Sequence, residues 1–291
     1  MELFNKVSEI IKILKPEPFK QFSNATKKLK EINLQLKQTS SIDSVVRWHD
    51  WKNITQSSSC FERNNLSGWR NDNYRSSYVQ VFDEDLDNLI VLKIIKNWRC
   101  DIKNIHGISC SKSDLNKFFN LDDMIKSVDS AAISDISENG FYNNLNHKGI
   151  RIIHKQFDTD HFQKHCWDER FFLCNSDGSH HFAAARYIAS QLNLSFELSG
   201  DLYEYSINWI ALSKLLNKYN MFVIQSNVYD FFHYFMEKYN ISYYFKPMPE
   251  PYKNLTVIFL PNDNQKAKEI STVLIKNQVY NLGTYFVKLC K

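Results

Sequence analysis

Residues 170–186 read Arg170-Phe171-Phe172-Leu173-Cys174-Asn175-Ser176-Asp177-Gly178-Ser179-His180-His181-Phe182-Ala183-Ala184-Ala185-Arg186. The apolar run at 171–174 predicts a strand, and 179–192 predicts a helix. Asp177-Gly178 between them is a tight-turn signal. A helix that starts directly after such a turn exposes unbonded N–H groups and the positive end of its dipole. His180 and His181 add two imidazoles at the same point. The junction is a ready site for phosphate or another anion. It also reads as a plain structural corner with two surface histidines.

Outward from this junction, the chain after 150 alternates short apolar runs with amphipathic stretches. Strands are expected at 150–154, 195–198 with a continuation over 201–207, 221–224 and 257–260. Helices are expected at 207–219, 228–239 and 265–277. This interleaving predicts a mixed α/β body, α+β in class, over 150–291. Residues 1–40 show helical spacing with Lys20, Lys27, Lys28, Lys30 and Lys37 on the polar side. The β-branched run at 89–95 predicts a buried strand. A helix over 114–128 takes Ser111 or Ser113 as its cap. The Ser/Asn/Gly-rich stretch 129–149 reads as a long loop and a boundary. The expected organisation is a helical and mixed N-terminal region over 1–149 and an α/β domain over 150–291.

The segment Asp177-Gly178-Ser179-His180-His181-Phe182-Ala183-Ala184-Ala185 resembles the nucleotide-pocket motif of the ParB/sulfiredoxin superfamily. That family shows a strand, a turn reading Asp-Gly-x-His-Arg, and an Ala-rich helix. Phe171-Phe172-Leu173 before the turn and Phe196-Glu197-Leu198 after the helix fit its order of strand, turn, helix, strand. The resemblance is limited to residues 150–210. It implies a ParB/sulfiredoxin-like mixed-sheet core and a nucleotide or phosphorylated small molecule as ligand. It places His180 as the acid/base, Asp177 as an orienting or metal-linked carboxylate, and His181 with Arg186 as anion contacts. The family's turn ends His-Arg, whereas this one ends His180-His181. A permanent forked donor is replaced by a group that titrates. Ser179 stands where sulfiredoxins carry a catalytic Cys, which argues against sulfiredoxin repair chemistry.

The residue types give a parallel reading. Gly178 lets the backbone turn tightly and approach a ligand. Ser179 is either an N-cap or a hydroxyl aimed at the ligand. Arg186, two turns on, contacts a ligand, pairs with a carboxylate or covers the core. Asp168 and Glu169, before the strand, are expected either to hold a Mg²⁺ at the ligand or to form a solvated turn. His154, Asp158, Asp160, His161 and His165 form a second polar cluster. His161 and His165 share a face if the segment is helical, and with Asp158 or Asp160 they give a three-ligand metal site. The alternatives are a polar loop beside the pocket and general acid–base work by one of these groups.

Arg47-Trp48-His49-Asp50-Trp51, Phe61-Glu62-Arg63, Trp69-Arg70 and Tyr74-Arg75 interleave aromatics with arginine. Such groups stack on bases, or build a satellite core under arginine stems. A net charge of +4 permits a nucleic-acid partner without requiring one. Six cysteines without a C-x-x-C pair, no signal segment and no long apolar run predict reduced thiols in a cytoplasmic protein. No Walker loop, G-x-G-x-x-G, G-x-S-x-G or zinc-finger spacing occurs. The expected function is a nucleotide- or phosphate-ligand-processing enzyme: a nucleotide hydrolase, phosphotransferase or nuclease. Its expected setting is the toxic effector of a bacterial toxin–antitoxin or phage-defence system, with an antitoxin-like protein partner. The alternatives are a non-catalytic nucleic-acid or protein-binding module, and a metal-dependent nuclease built on 154–169.

Overall fold

The computed structural model describes Ile32, Leu34 and residues 37–54, 65–71, 75–154 and 160–290. The chain forms two compact units. The first comprises 1–34, 50–89 and 209–291, and the second comprises 35–49 and 90–208. The boundary expected at 149/150 falls inside the second unit. Most of the helix expected over 1–40 lies outside the described residues, and residues 37–40 carry no helix.

In chain order, the first unit contributes β1 (Asn65–Asn71), β2 (Ser76–Phe82) and α1 (Glu84–Asp87). The second unit follows with β3 (Ile90–Asp101), β4 (Ile105–Ile108), α2 (Leu121–Val128), α3 (Glu138–Leu145) and α4 (Arg151–His154). It continues with β5 (His161–His165), β6 (Asp168–Cys174), α5 (Ser179–Gln191) and β7 (Glu197–Ile207). The chain returns to the first unit through α6 (Trp209–Lys218), β8 (Tyr219–Gln225), α7 (Tyr229–Lys238) and β9 (Tyr243–Pro247). It ends with β10 (Leu255–Pro261), α8 (Gln265–Lys276) and α9 (Leu282–Leu289). The architecture is mixed α/β.

The first unit holds an antiparallel sheet in the order β2-β1-β9-β10-β8. Every residue of β10, Leu255-Thr256-Val257-Ile258-Phe259-Leu260-Pro261, is buried. A run this apolar packs on both faces, which suits its place between β9 and β8. Lys246 on β9 is also buried, and its Nζ donates to the Ile54 and Asn65 carbonyls at 2.6 and 3.2 Å. Burial lowers its pKa to about 8.

The second unit holds a mixed sheet in the order β3-β7-β5-β6-β4. β4 runs parallel to β6 and β5 parallel to β7, while β5–β6 and β3–β7 are antiparallel. The core is built from Phe162, Leu173, Phe182, Met124, Ile125 and Phe141 among others. Ala183, Ala184, Ala185 and Ala189 of α5 are fully buried in it. Methyl side chains let this helix approach its neighbours closely without unfavourable helix propensity.

Several expected elements differ. Within the strand expected at 150–154, residues 151–154 form helix α4 instead, because a short apolar run carries no period that separates a strand from a buried helical turn. The stretch 129–149 is not a loop: a 3-10 turn at Ser130–Ile133 precedes α3. The Ser137 hydroxyl caps α3 by accepting from Gly140 N–H. The helix expected over 114–128 breaks into a 3-10 turn at Leu115–Lys117 and α2, whose cap is Asn120 rather than Ser111 or Ser113. The strand expected to be buried near 89–95 is β3 at a sheet edge, with Val91, Leu92 and Ile94 exposed. Among the described residues no helix is long and apolar enough to cross a membrane.

His165 on β5 is 1% exposed and stacks on Tyr205 and His49, with ring centroids 5.4 and 5.3 Å away. Gln163 Nε2 donates to its Nε2 at 2.9 Å, so the ring proton resides on Nδ1. Burial first, and His49 second, hold its pKa down at about 3. The folded state therefore resists a proton that the unfolded chain accepts below about pH 6.5. Acid then favours the unfolded state progressively between pH 6.5 and 3, by up to about 5 kcal/mol at the lower end. Calorimetric melting from pH 7 to pH 3.5 checks this: the midpoint of His165→Gln is expected to fall less steeply than that of the wild type.

Candidate functional site

Helix α5 starts from Gly178, whose φ of +72° lies in the left-handed region. A Cβ there would stand 2.6 Å from the carbonyl carbon of Gly149. A Cβ on Gly149 would meet Gly178 N and Asp177 Cγ at 3.0 Å. Two backbones thus touch through a pair of glycines. Buried Asn175 joins a third segment to this contact. Its Nδ2 donates to the carbonyls of Cys110 and Asp177 at 3.0 and 3.1 Å. Its Oδ1 accepts from Cys110 N–H at 3.2 Å. Asp160 accepts from Ser176 N–H and Oγ and supports the other side of the turn.

These contacts gather the start of α5, the segment Cys110-Ser111-Lys112, Asp129 and His147 around a cleft of about 290 Å³. Gly178 offers no side-chain oxygen, and no side chain caps the first-turn N–H groups of α5. Those groups are left at the cleft with the positive end of a thirteen-residue helix. Lys112 lines the cleft and makes no ion pair among the described residues. Two carboxylates also line it. Asp177 Oδ1 accepts from Gly178 N–H at 2.7 Å, while Asp129 faces His180.

The two adjacent histidines have separate partners. His180 Nε2 lies 3.0 Å from Ser113 Oγ, and its Nδ1 lies 3.9 Å from Asp129 Oδ2. A carboxylate on the Nδ1 side favours the proton there and leaves Nε2 to accept from the Ser113 hydroxyl. Ser111 Oγ accepts from Ser113 N–H and from the Ser179 hydroxyl, both at 3.1 Å. Ser179 is therefore not the helix cap but part of a hydroxyl chain along the cleft wall. His181 Nδ1 donates to Asn144 Oδ1 at 3.1 Å, and Asn144 is held by donating to the Ala132 and Gly140 carbonyls. The His181 ring stacks on His147 at 4.0 Å. Burial first, and His147 second, lower its pKa. His181 is thus a neutral imidazole at neutral pH, oriented at Nδ1 and with Nε2 as its acceptor atom.

The sequence-predicted residues divide sharply. Asp177, Gly178, Ser179, His180 and His181 all line the cleft. Arg186 does not reach it. Its guanidinium donates to the Ile105 and Lys103 carbonyls and to Asp122 at 2.5 Å, tying α5 to β4 and α2. Seven residues along a helix amount to roughly 10 Å of rise, enough to carry Arg186 away from the anion end. Glu169 lies at the far end of β6, roughly 17 Å of strand from Cys174. His161 and His165 sit on a strand rather than a helix, about 13 Å apart along it. His161 packs on Tyr203, His154 meets the Leu145 carbonyl, and Asp158 lies outside the described residues. Among the described residues no group of three or more His, Cys, Asp or Glu is placed to hold a metal ion.

The Trp/Arg cluster is also dispersed. Trp48 and Trp51 are buried, and Trp51 stacks on Phe259 while donating to the Pro247 carbonyl. Trp69 stacks on His233. Arg63 lies outside the described residues.

Residues 95–291 match the model of DUF6685, a family of unknown function. The chain belongs to the DUF6685 family. The matched range contains the whole cleft. No curated protein and no solved structure matches the chain.

Cys110, Ser111, Lys112, Ser113, Asp129, Asn144 and His147 were not singled out as site residues from sequence. The available signal was the pair Gly149 and Gly178: in a chain with seven glycines, each marks a place where backbone must pass closely. Gly178→Ala adds a Cβ both in the left-handed region and against the Gly149 backbone. It is expected to destabilise the fold by roughly 2–4 kcal/mol. Urea unfolding checks this, and a change below about 0.5 kcal/mol would show that the two loops separate freely.

Proposed function

We propose that the second unit binds a small phosphate-bearing molecule at the start of α5 and cleaves its phosphoester. The observation that carries this reading is the N-terminus of α5, with no side-chain cap, opening on a cleft beside Lys112, which makes no ion pair among the described residues. Phosphate oxygens are the natural acceptors for such N–H groups, because they satisfy several donors at once and carry the charge the dipole favours. The imidazoles supply proton transfer: neutral His181 has a free acceptor nitrogen, and His180 couples to a hydroxyl. The ParB/sulfiredoxin resemblance supports the same reading, since β6, the turn, α5 and β7 follow in the family's order. Five free cysteines among the described residues suit a reducing, cytoplasmic setting.

The cleft dimensions narrow the ligand. A volume of about 290 Å³ is at the lower end of small-molecule sites. It suits a phosphomonoester or mononucleotide better than a dinucleotide. Asp129 and Asp177 oppose an anion, so moderate affinity is expected. The burial of Trp48 and Trp51 weakens the nucleic-acid alternative, because buried rings cannot stack on bases.

A thermal-shift comparison of adenosine monophosphate with adenosine, with and without Mg²⁺, tests the reading. At a hundredfold excess over its Kd the nucleotide is expected to stabilise the wild type by about 2.7 kcal/mol. Adenosine is expected to shift little, and Lys112→Ala is expected to lose most of the nucleotide effect. Equal shifts for nucleotide and nucleoside, or an unchanged Lys112→Ala, would remove the anion site.

A further inference from the structure

We propose that Ser113, hydrogen-bonded to the cleft residue His180, is the nucleophile and forms a covalent phosphoserine during turnover. The inference rests on the phosphate reading above but on different atoms. Ser113 Oγ, His180 and Asp129 lie in one line of contacts: 3.0 Å from the hydroxyl to Nε2 and 3.9 Å from Nδ1 to the carboxylate. The three residues come from three separate stretches of chain. Asp129 is anchored for this task, because its Oδ1 accepts from Ala132 N–H at 3.3 Å while Oδ2 faces the ring. Ser113 is anchored too, through its N–H to Ser111 Oγ.

A serine hydroxyl is a weak nucleophile until a base takes its proton, and a base is effective only in the right tautomer. Asp129 keeps the proton of His180 on Nδ1 and stabilises the imidazolium that forms. This is the division of roles seen in hydroxyl–imidazole–carboxylate triads on unrelated folds. The remaining need is a place for negative charge. The first-turn N–H groups of α5 and Lys112 provide it for the non-bridging oxygens of a phosphoryl group.

The reaction balances with water alone. In the first step Ser113 Oγ bonds to phosphorus, and the bond from phosphorus to the leaving oxygen breaks. The hydroxyl proton passes to His180 Nε2 and then to the leaving oxygen. In the second step a water oxygen bonds to phosphorus and the Ser113 ester bond breaks. His180 takes the water proton and returns it to Ser113 Oγ. One water enters, and an alcohol and inorganic phosphate leave.

The test uses the full chain. A fluorophosphonate probe reports nucleophilic serine directly, since Oγ attacks phosphorus and expels fluoride, and peptide mass spectrometry locates the adduct. Labelling is expected at Ser113 and lost in Ser113→Ala. Asp129→Asn keeps the Ala132 cap but lacks the charge, and is expected to label more slowly by about tenfold or more. Acid quenching during turnover of p-nitrophenyl phosphate is expected to trap phosphoserine at 113. Binding of adenosine monophosphate to Ser113→Ala, read by thermal shift, separates the two readings. Retained binding with no label at Ser113 in the wild type would overturn the nucleophile alone. Absent binding in the wild type would overturn both. A stoichiometric burst with p-nitrophenyl acetate but none with the phosphate ester would overturn phosphoryl transfer.

Discussion

The contact between the backbones of Gly149 and Gly178 is the constraint on which the cleft depends. With no Cβ on either side, the turn before α5 and the turn before α4 lie against each other. Gly178 must also hold a φ of +72°, which an L side chain adopts only with strain. This brings His147 to within stacking distance of His181 and leaves the first turn of α5 without a side-chain cap. The same residue therefore performs three tasks: it reverses the chain, admits a neighbouring loop and keeps helix N–H groups available. Asn175 completes the arrangement by satisfying three backbone groups across the junction, which a side chain with fewer polar atoms could not do.

Much of the junction was legible in sequence because its signals are local. A strand, an Asp-Gly turn and an Ala-rich helix are each specified by neighbouring residues, and β6, the turn and α5 occur where expected. The opposite wall of the cleft was not legible. Ser111 and Ser113 look like helix caps, and 129–149 looks like a loop, because Ser and Asn favour both turns and N-caps. Ser137 and Asn120 do cap helices, whereas Ser113 serves His180 instead. Only the long-range meeting of 109–113 with 175–180 decides between these uses. Residues 150–154 failed for a related reason: Ile150, Ile152 and Ile153 are suited to a strand, yet the turn at His147–Gly149 starts a helix. The discontinuous units were beyond reach, since a domain that leaves and re-enters the chain has no composition boundary to mark it.

The charges of the cleft pull in opposite directions, and their placement resolves the conflict. Lys112 and the α5 dipole favour an anion, while Asp129 and Asp177 oppose it. Asp177 already accepts from the Gly178 N–H, so part of its charge is committed to the turn. Asp129 is directed at His180 and acts through that ring. An anion near Lys112 and the helix N–H groups is then opposed mainly at a distance, in a cleft open to water and salt.

The two adjacent histidines explain how one short segment serves two chemical needs. Consecutive helical residues point about 100° apart, and His180 and His181 hydrogen-bond to different partners. His180 turns toward Ser113 and Asp129, where a hydroxyl and a carboxylate bracket the ring. His181 turns toward Asn144 and His147, where an amide carbonyl fixes its Nδ1 proton without adding charge. Burial and the neighbouring His147 ring disfavour an imidazolium at His181. Two identical adjacent side chains thus occupy different hydrogen-bonding environments, one against a hydroxyl and one against an amide carbonyl.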